Sequence, residues 1–269
     1  MRRNRWFLPT SAMIGFLFLY APIISLVVFS FNANRLVTVW SGFSLKSYSD
    51  LLQDPQLLPA AGLSLQIAAI SASIALVLGT LCAVALVRFR RFRGKTILQA
   101  TVSAPLVMPD VITGLALLLL FVGMQSIIGW PAGRGMLTII IAHSTFCTAY
   151  VTVVVQSRLS DLDLSLEEAA MDLGATPVRV FFDITLPIIA PALVSGWLLA
   201  FTLSLDDLVI ASFVSGPGSS TLPIIIFSKV KLGVSPEVNA LATIIIALVA
   251  AGVITATILQ LRRPKSRST

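Results

Sequence analysis

Apolar residues in this chain neither alternate nor form one-sided stripes. They run in blocks, separated by short stretches that hold nearly all the charge. Six blocks stand out, at about 8–31, 63–87, 97–123, 137–156, 192–214 and 239–261. Each approaches or exceeds the roughly 20 apolar residues that an α-helix needs to cross a bilayer. In lipid a spanning segment must pair its own backbone N–H and C=O groups, so blocks of this length predict helices. The pattern predicts an all-α integral membrane protein with six transmembrane helices, forming a single transmembrane domain over 1–269. Arg2, Arg3 and Arg5 precede the first block, as in a signal peptide. The block is long enough to span, however, and lacks a small-x-small cleavage site, so it reads as an uncleaved first span.

Composition agrees: 57% of residues are hydrophobic, 12% are charged, and mean hydropathy is +0.94. These values belong to membrane proteins. A net charge of +7 raises nucleic acid as a partner, but the basic residues border apolar runs instead of forming a basic face. They set orientation. With the N-terminus inside, the inner segments hold Arg2, Arg3, Arg5, Arg88, Arg90, Arg91, Arg93, Lys95, Arg158, Arg179, Arg262, Arg263, Lys265 and Arg267, which is 14 of the 19 basic residues. The outer segments hold Arg35, Lys46, Arg134, Lys229 and Lys231. Inner segments are the lysine- and arginine-rich ones, so both termini are expected in the cytoplasm. Cys82 and Cys147 fall within apolar spans and read as buried thiols, not as a disulfide or metal pair.

The polar stretches differ in content. The inner segment 158–187 reads as two short helices joined by a glycine. Ser165 with Glu168 has the spacing of a capping box. Leu166, Ala169, Ala170 and Leu173 then repeat at helical spacing, a narrow apolar stripe with small residues at its centre. Gly174 stands where a helix needs a left-handed stop, and Thr176-Pro177 restarts one. A short helix with a small-residue stripe at the membrane surface is a shape for another protein to grip. On the outer side, 32–59 carries Trp40, Phe43, Tyr48 and Leu51, suited to an interfacial or partner-contacting segment. The run 215–219 is a flexible turn, and 222–227 is apolar but too short to cross, as in a re-entrant piece.

Arg93-Gly94-Lys95-Thr96 ends like a phosphate-binding loop, but the glycine required five residues before Gly94 is replaced by Phe89, and no strand precedes it. No nucleotide site is expected in this chain. The acids inside spans say more. Asp110 lies in the third span, Asp206 and Asp207 in the fifth. A charge at mid-membrane costs about 2.5–3.5 kcal/mol on insertion scales, so such groups normally face a cavity or a partner. Counted from the inner ends as continuous helices, Asp110 and Asp206 both lie about 22 Å deep, although Pro105 and Pro109 are able to bend the third span. Three acids at one level make a cation-attracting zone. Ser204 and Asp207 share one helix face, Thr202 and Asp206 another. Trp197 and Phe201 offer cation–π contact, and His143 reads as a polar tie between helices.

Glu168-Ala169-Ala170, Gly174 and Ile184-Thr185-Leu186-Pro187 together match the E-A-A-x3-G-x9-I-x-L-P signature, and in this the chain resembles the permease subunits of bacterial ABC importers. The resemblance implies a type I ABC importer permease (MetI-like) fold. It also implies that Glu168, Ala169, Ala170, Asp172 and Gly174 belong to a coupling helix docking into a separate ATPase. Residues 203–218, from Leu203-Ser204-Leu205-Asp206-Asp207 to Gly216-Pro217-Gly218, look like the corresponding segment of polyamine permeases, putrescine permeases in particular, and 239–243 fits them too. For that family the resemblance implies translocation-path roles for Asp110, Ser204, Asp206 and Asp207. It further implies a heterodimer with a homologous permease, two ATPase subunits that use ATP and Mg, a periplasmic polyamine-binding protein, and residence in the bacterial inner membrane. This chain would be no enzyme and hold no cofactor. Spermidine, alone or with putrescine, is the nearest alternative substrate. A proton-coupled transporter of organic cations would use the same acids but leave the inner segment unexplained. An intramembrane aspartyl protease with an Asp110–Asp206 dyad needs a G-x-G-D motif, and Ser204-Leu205 precedes Asp206.

Overall fold

The computed structural model describes residues 7–34, 39–89, 91–232 and 236–262. Of the basic residues counted above, Arg2, Arg3, Arg5, Arg35, Arg90, Arg263, Lys265 and Arg267 lie outside the described residues. In chain order the helices are α1 (Phe7–Phe29), α2 (Lys46–Gln53), α3 (Leu57–Arg88), α4 (Lys95–Val107), α5 (Asp110–Ile128), α6 (Met136–Ser160), α7 (Leu164–Asp172), α8 (Pro177–Val180), α9 (Leu186–Leu205), α10 (Val209–Val214), α11 (Leu222–Leu232) and α12 (Pro236–Arg262). A π turn over Phe181–Thr185 joins α8 to α9. Among the described residues, Leu8–Phe29, Leu57–Arg88, Asp110–Ile128, Met136–Ser160 and the run Pro177–Leu205 are long and apolar enough to cross a membrane. α12 occupies the sixth apolar block, with a shorter apolar stretch over Pro236–Ala251.

Two of the six expected blocks are not continuous helices. The third, expected over 97–123, breaks at Met108-Pro109 into α4 and α5. Proline has no N–H to donate and its ring clashes with the preceding turn, so Pro109 starts a new helix. Pro105, by contrast, is accommodated inside α4. The fifth, expected over 192–214, begins earlier and stops at Leu205; Asp206 to Leu208 form a break before α10. The apolar piece at 222–227 is the first half of α11.

By backbone contacts the chain groups into two compact units, 1–58 with 226–269, and 59–225. In the first, α1 and α2 pack on α12. The ring of Phe31 stacks on Phe43 at 5.4 Å and meets Tyr48 at 5.2 Å. Leu51 of α2 is buried. Asp54 starts α3 by accepting the amides of Gln56 (2.8 Å) and Leu57 (2.9 Å), and it pairs with Lys229 Nζ at 2.6 Å. Burial pushes its carboxyl up, but Lys229 and the two amides together hold it below the usual range.

The second unit is built around α6, which buries residues on every side, among them Ile139, His143, Cys147, Val151 and Val155. It packs antiparallel to α9 in a regular register. Gly196 faces Val151, Cys147 Sγ donates to the Ala200 carbonyl, and His143 bonds Ser204. Gly196, Ala200 and Ser204 recur every four residues, so one side of α9 carries only small groups and the backbones approach closely. α3 closes on α6 in the same way: a Cβ at Gly79 would stand 2.7 Å from Val151 Cγ1 and 3.1 Å from the Thr152 amide. Cys147 is buried in this seam, while Cys82 is partly buried; both are free thiols.

Candidate functional site

At the Met136 end of α6 the regular register of the α6–α9 seam ends. His143 Nδ1 lies 2.7 Å from Ser204 Oγ, and its Nε2 lies 3.2 Å from Asp207 Oδ2. Five residues further back along α6, the Thr138 hydroxyl donates to the Val214 carbonyl at 2.7 Å. Ten residues of the fifth block thus cover the rise covered by five of α6, and the surplus forms the break at Asp206–Leu208. Asp207 fixes that break: its Oδ2 accepts the Ala211 amide at 2.7 Å and its Oδ1 the Ile210 amide at 3.3 Å, capping α10. The tautomer satisfying both neighbours has His143 donating from Nε2 to Asp207 and accepting the Ser204 hydroxyl at Nδ1. His143 is fully buried and the Asp207 side chain only 8% exposed. His143 is therefore the polar tie that its position in the fourth block predicts.

The neighbouring Asp206 differs. It closes α9, its amide donating to the Thr202 carbonyl, and its side chain is exposed. The two acids do not lie on one continuous helix, so the face assignments that assume one do not hold for Asp207. Asp110 opens α5 and is likewise exposed. A carboxylate at that position suits the positive end of the helix. At Gly114, one turn later, an added Cβ would approach Phe213 Cδ2 to 2.6 Å and Ile210 Cα to 3.3 Å. Asp110 precedes Gly114 by four residues, and Asp206 precedes Ile210 by four. α5 and α10 therefore meet one turn past their respective breaks, at Gly114 and Ile210. Trp197 is not with them: its Nε1 donates to Ser73 of α3 at 3.1 Å and its ring stacks on Phe201. It stands nine residues before Asp206, about two and a half turns, on the opposite side of α9.

The segment 158–187 is built as two short helices around Gly174, but its start differs from the expected capping box. Asp163 caps α7, accepting the Ser165 amide at 3.0 Å; Ser165 is already inside the helix, and Glu168 is exposed further along. An aspartate one residue before the first turn reaches the free amides directly and leaves the serine no capping role. The Ser165 amide, with the Ser165 hydroxyl, holds the Asp163 carboxyl below its ordinary range. At the other end Gly174 has φ +88°, its amide donates to Met171 and the Ala175 amide to Ala170. That pair of bonds closes the helix as a Schellman motif, which a residue with a Cβ adopts only under strain. Pro177 then opens α8.

No residue of α7 is buried. Leu173 is 90% exposed, and Leu166, Met171, Val178 and Phe182 are exposed with it. Asp172 and Ala169 are also exposed, and Ala170 is half-buried. The one acid of α7 that is tied down is Glu167, a residue to which the sequence pattern gives no role. Its Oε1 accepts from Arg88 Nη2 at 2.8 Å and from the Thr185 hydroxyl at 2.7 Å. Its half-buried place beside an exposed Glu168 is a tertiary fact with no periodic signature.

A family model described as binding-protein-dependent transport system inner membrane component matches residues 75–267. The chain belongs to that family. The matched residues of this transport component take in α7, both helix breaks and His143. Putrescine transport system permease protein PotI of Escherichia coli (strain K12) is 65% identical over 237 residues, covering 88% of this chain and 84% of that protein. Spermidine/putrescine transport system permease protein PotC of the same strain is 46% identical over 233 residues, with 86% and 85% covered. Among solved structures, a bacterial ABC transporter involved in the import of the acidic polysaccharide alginate aligns with TM-score 0.72 at 19% identity, over 98% of this chain and 99% of that one. The MetNI methionine ABC transporter, inward facing, aligns with TM-score 0.61 at 17% identity, over 77% and 94%. These two likenesses are of fold: the chain has the all-α architecture of ABC importer permeases.

Proposed function

We propose that this chain is one permease half of an ATP-driven polyamine importer, with putrescine its main substrate, and that α7 is the element through which a separate ATPase moves it. The observation that carries the reading is the open apolar face of α7. A helix of nine residues with none buried gains little from its own fold, and exposed apolar groups of this size mark a surface that meets another protein. Glu168, Ala169, Ala170, Asp172 and Gly174 would form the docking face. The partners would be a homologous permease, two ATPase subunits holding ATP and Mg, and a periplasmic polyamine-binding protein. Both termini would be cytoplasmic.

The substrate reading rests on the acids and on the names of the relatives. A diaminoalkane carries about one positive charge per amine at neutral pH, because alkylammonium groups titrate near 10. Such a dication is attracted by carboxylates far more strongly in a low-dielectric passage than in water. Asp206 and Asp110, each exposed at a helix break, would be the groups to meet it. Asp207 already accepts from His143, Ile210 and Ala211, so its part is to hold the break with Ser204. Trp197, bonded to α3, lines the path only away from the acids. Uptake of labelled putrescine by the assembled complex in proteoliposomes tests the reading. ATP-dependent uptake, competed by spermidine more weakly than by putrescine and unaffected by collapsing the proton gradient, is the expected result. Uptake that persists without the ATPase and stops with the gradient would replace it with proton coupling.

A further inference from the structure

We infer that Glu167, Arg88 and Thr185 form the joint through which movement of α7 reaches the membrane spans; the inference rests on the coupling role proposed for α7. Glu167 is the residue by which α7 is held by ionic and hydrogen bonds to two other elements. One carboxylate oxygen accepts both Arg88 Nη2, at the last residue of α3, and the hydroxyl of Thr185, at the end of the π turn that leads into α9. Arg88 Nη1 also reaches the Leu159 carbonyl near the end of α6, at 3.5 Å. A push on α7 is therefore delivered to α3 and α9 at one point, and these are the helices that close on α6 through Gly79 and through Gly196, Ala200 and Ser204.

Three features suit this point to movement. The pair is mostly shielded, with side-chain exposures of 18% for Arg88 and 12% for Glu167, so its attraction is less screened than that of a surface pair. Thr185 belongs to a π turn, in which the Leu186 amide reaches back five residues to Phe181. Such turns interrupt the helical ladder and occur often at functional sites. Arg88, Glu167 and Thr185 themselves line an open apolar groove of about 510 Å³, together with Leu81, Met171 and Phe181. Packed interiors resist displacement, and this side of α7 and the π turn borders an open groove instead of a packed interior. Glu168, exposed one residue away, faces outward and is free to meet the ATPase.

The test is the ratio of labelled putrescine imported to ATP hydrolysed by the reconstituted complex. Glu167→Gln, which keeps a group for Thr185 to bond but removes the charge, should lower that ratio at least tenfold while the ATPase still co-purifies with the permease. Arg88→Glu and Glu167→Arg should each abolish uptake, and the two together should restore the ratio to within about threefold of the parent. A normal ratio in Glu167→Gln overturns the inference. So does an R88E/E167R double variant that inserts and assembles but imports no better than either single variant. If the charge-reversed chains fail to insert, Thr185→Val decides: a lowered ratio supports the joint and an unchanged one refutes it. Failure of the underlying reading looks different, because the unaltered complex would then import no putrescine, or Gly174→Asp would import normally.

Discussion

α6 and α7 are consecutive helices and both are rich in apolar side chains, yet they have opposite fates. α6 is mostly buried, locked by small residues of α9 and α3, with its one histidine bonded at both nitrogens. α7 buries nothing and keeps Leu173 90% exposed. Hydrophobicity alone does not separate them. What separates them is complementarity inside the chain: Val151 and Cys147 meet Gly196 and Ala200, while no element of this chain offers α7 a matching surface among the described residues. A complete seam is a fixed part against which other parts move. An incomplete one is a place for a second molecule.

The contrast breaks most sharply at Gly174. Gly174→Asp forces a side chain onto φ +88°, at a cost of about 1–2 kcal/mol for a left-handed residue with a Cβ, and puts a charge on the proposed docking face. Putrescine uptake should fall to background while the protein still inserts, as membrane fractionation will show. In the fixed region the largest effect should come from Gly79→Val. Its Cβ would enter the space of Val151 and the Thr152 backbone, and overpacking of this kind costs about 1–3 kcal/mol. Here thermal stability in detergent should drop together with uptake, unlike at Gly174. His143→Ala comes next. It leaves Ser204 and Asp207 with a missing partner, a loss of about 1–3 kcal/mol for buried polar groups, again read as a lowered unfolding temperature.

The two adjacent acids sharpen the comparison on a smaller scale. Asp206→Asn should reduce putrescine uptake about tenfold or more without altering thermal stability, because its side chain is exposed and makes no bond that the fold requires. Asp207→Asn should lower both, since it caps α10 and meets His143. The smallest effect should be at Asp54. Its carboxyl titrates lower in the folded protein than in the unfolded chain, so its contribution is present above the ordinary carboxylate range, near 4, and is lost as pH falls through the lowered value. Unfolding temperatures of the parent and Asp54→Asn should converge below about pH 4 and differ slightly above it.

Much of the fold was legible in the apolar blocks, because a membrane span announces itself by length. The E-A-A stretch and its glycine stop were legible for a different reason, since a left-handed closure at Gly174 requires a particular residue type. The helix breaks were only half visible: Pro109 was a stated risk, whereas nothing in L-S-L-D-D-L-V reveals that Asp207 turns back to cap α10. Ser165 and Glu168 had the spacing of a cap, but Asp163, one residue before the helix, took the role by proximity. Trp197 has the chemistry to meet a cation, but its bond to Ser73 of α3, away from Asp206, was not readable in the sequence. Glu167 and Arg88 were invisible as a pair, because 79 residues separate them and only the tertiary fold brings them to 2.8 Å.

The exposed face of α7 is the centre of the account, and Leu173 probes it most directly. With Cys82 and Cys147 replaced by alanine, Leu173→Cys in the assembled complex should form a crosslink to the ATPase subunit through a short bismaleimide, and ATP-driven closure should change its yield. A cysteine at that position that instead reacts with a membrane-impermeant maleimide added from the periplasmic side, and never crosslinks to the ATPase, would contradict the account.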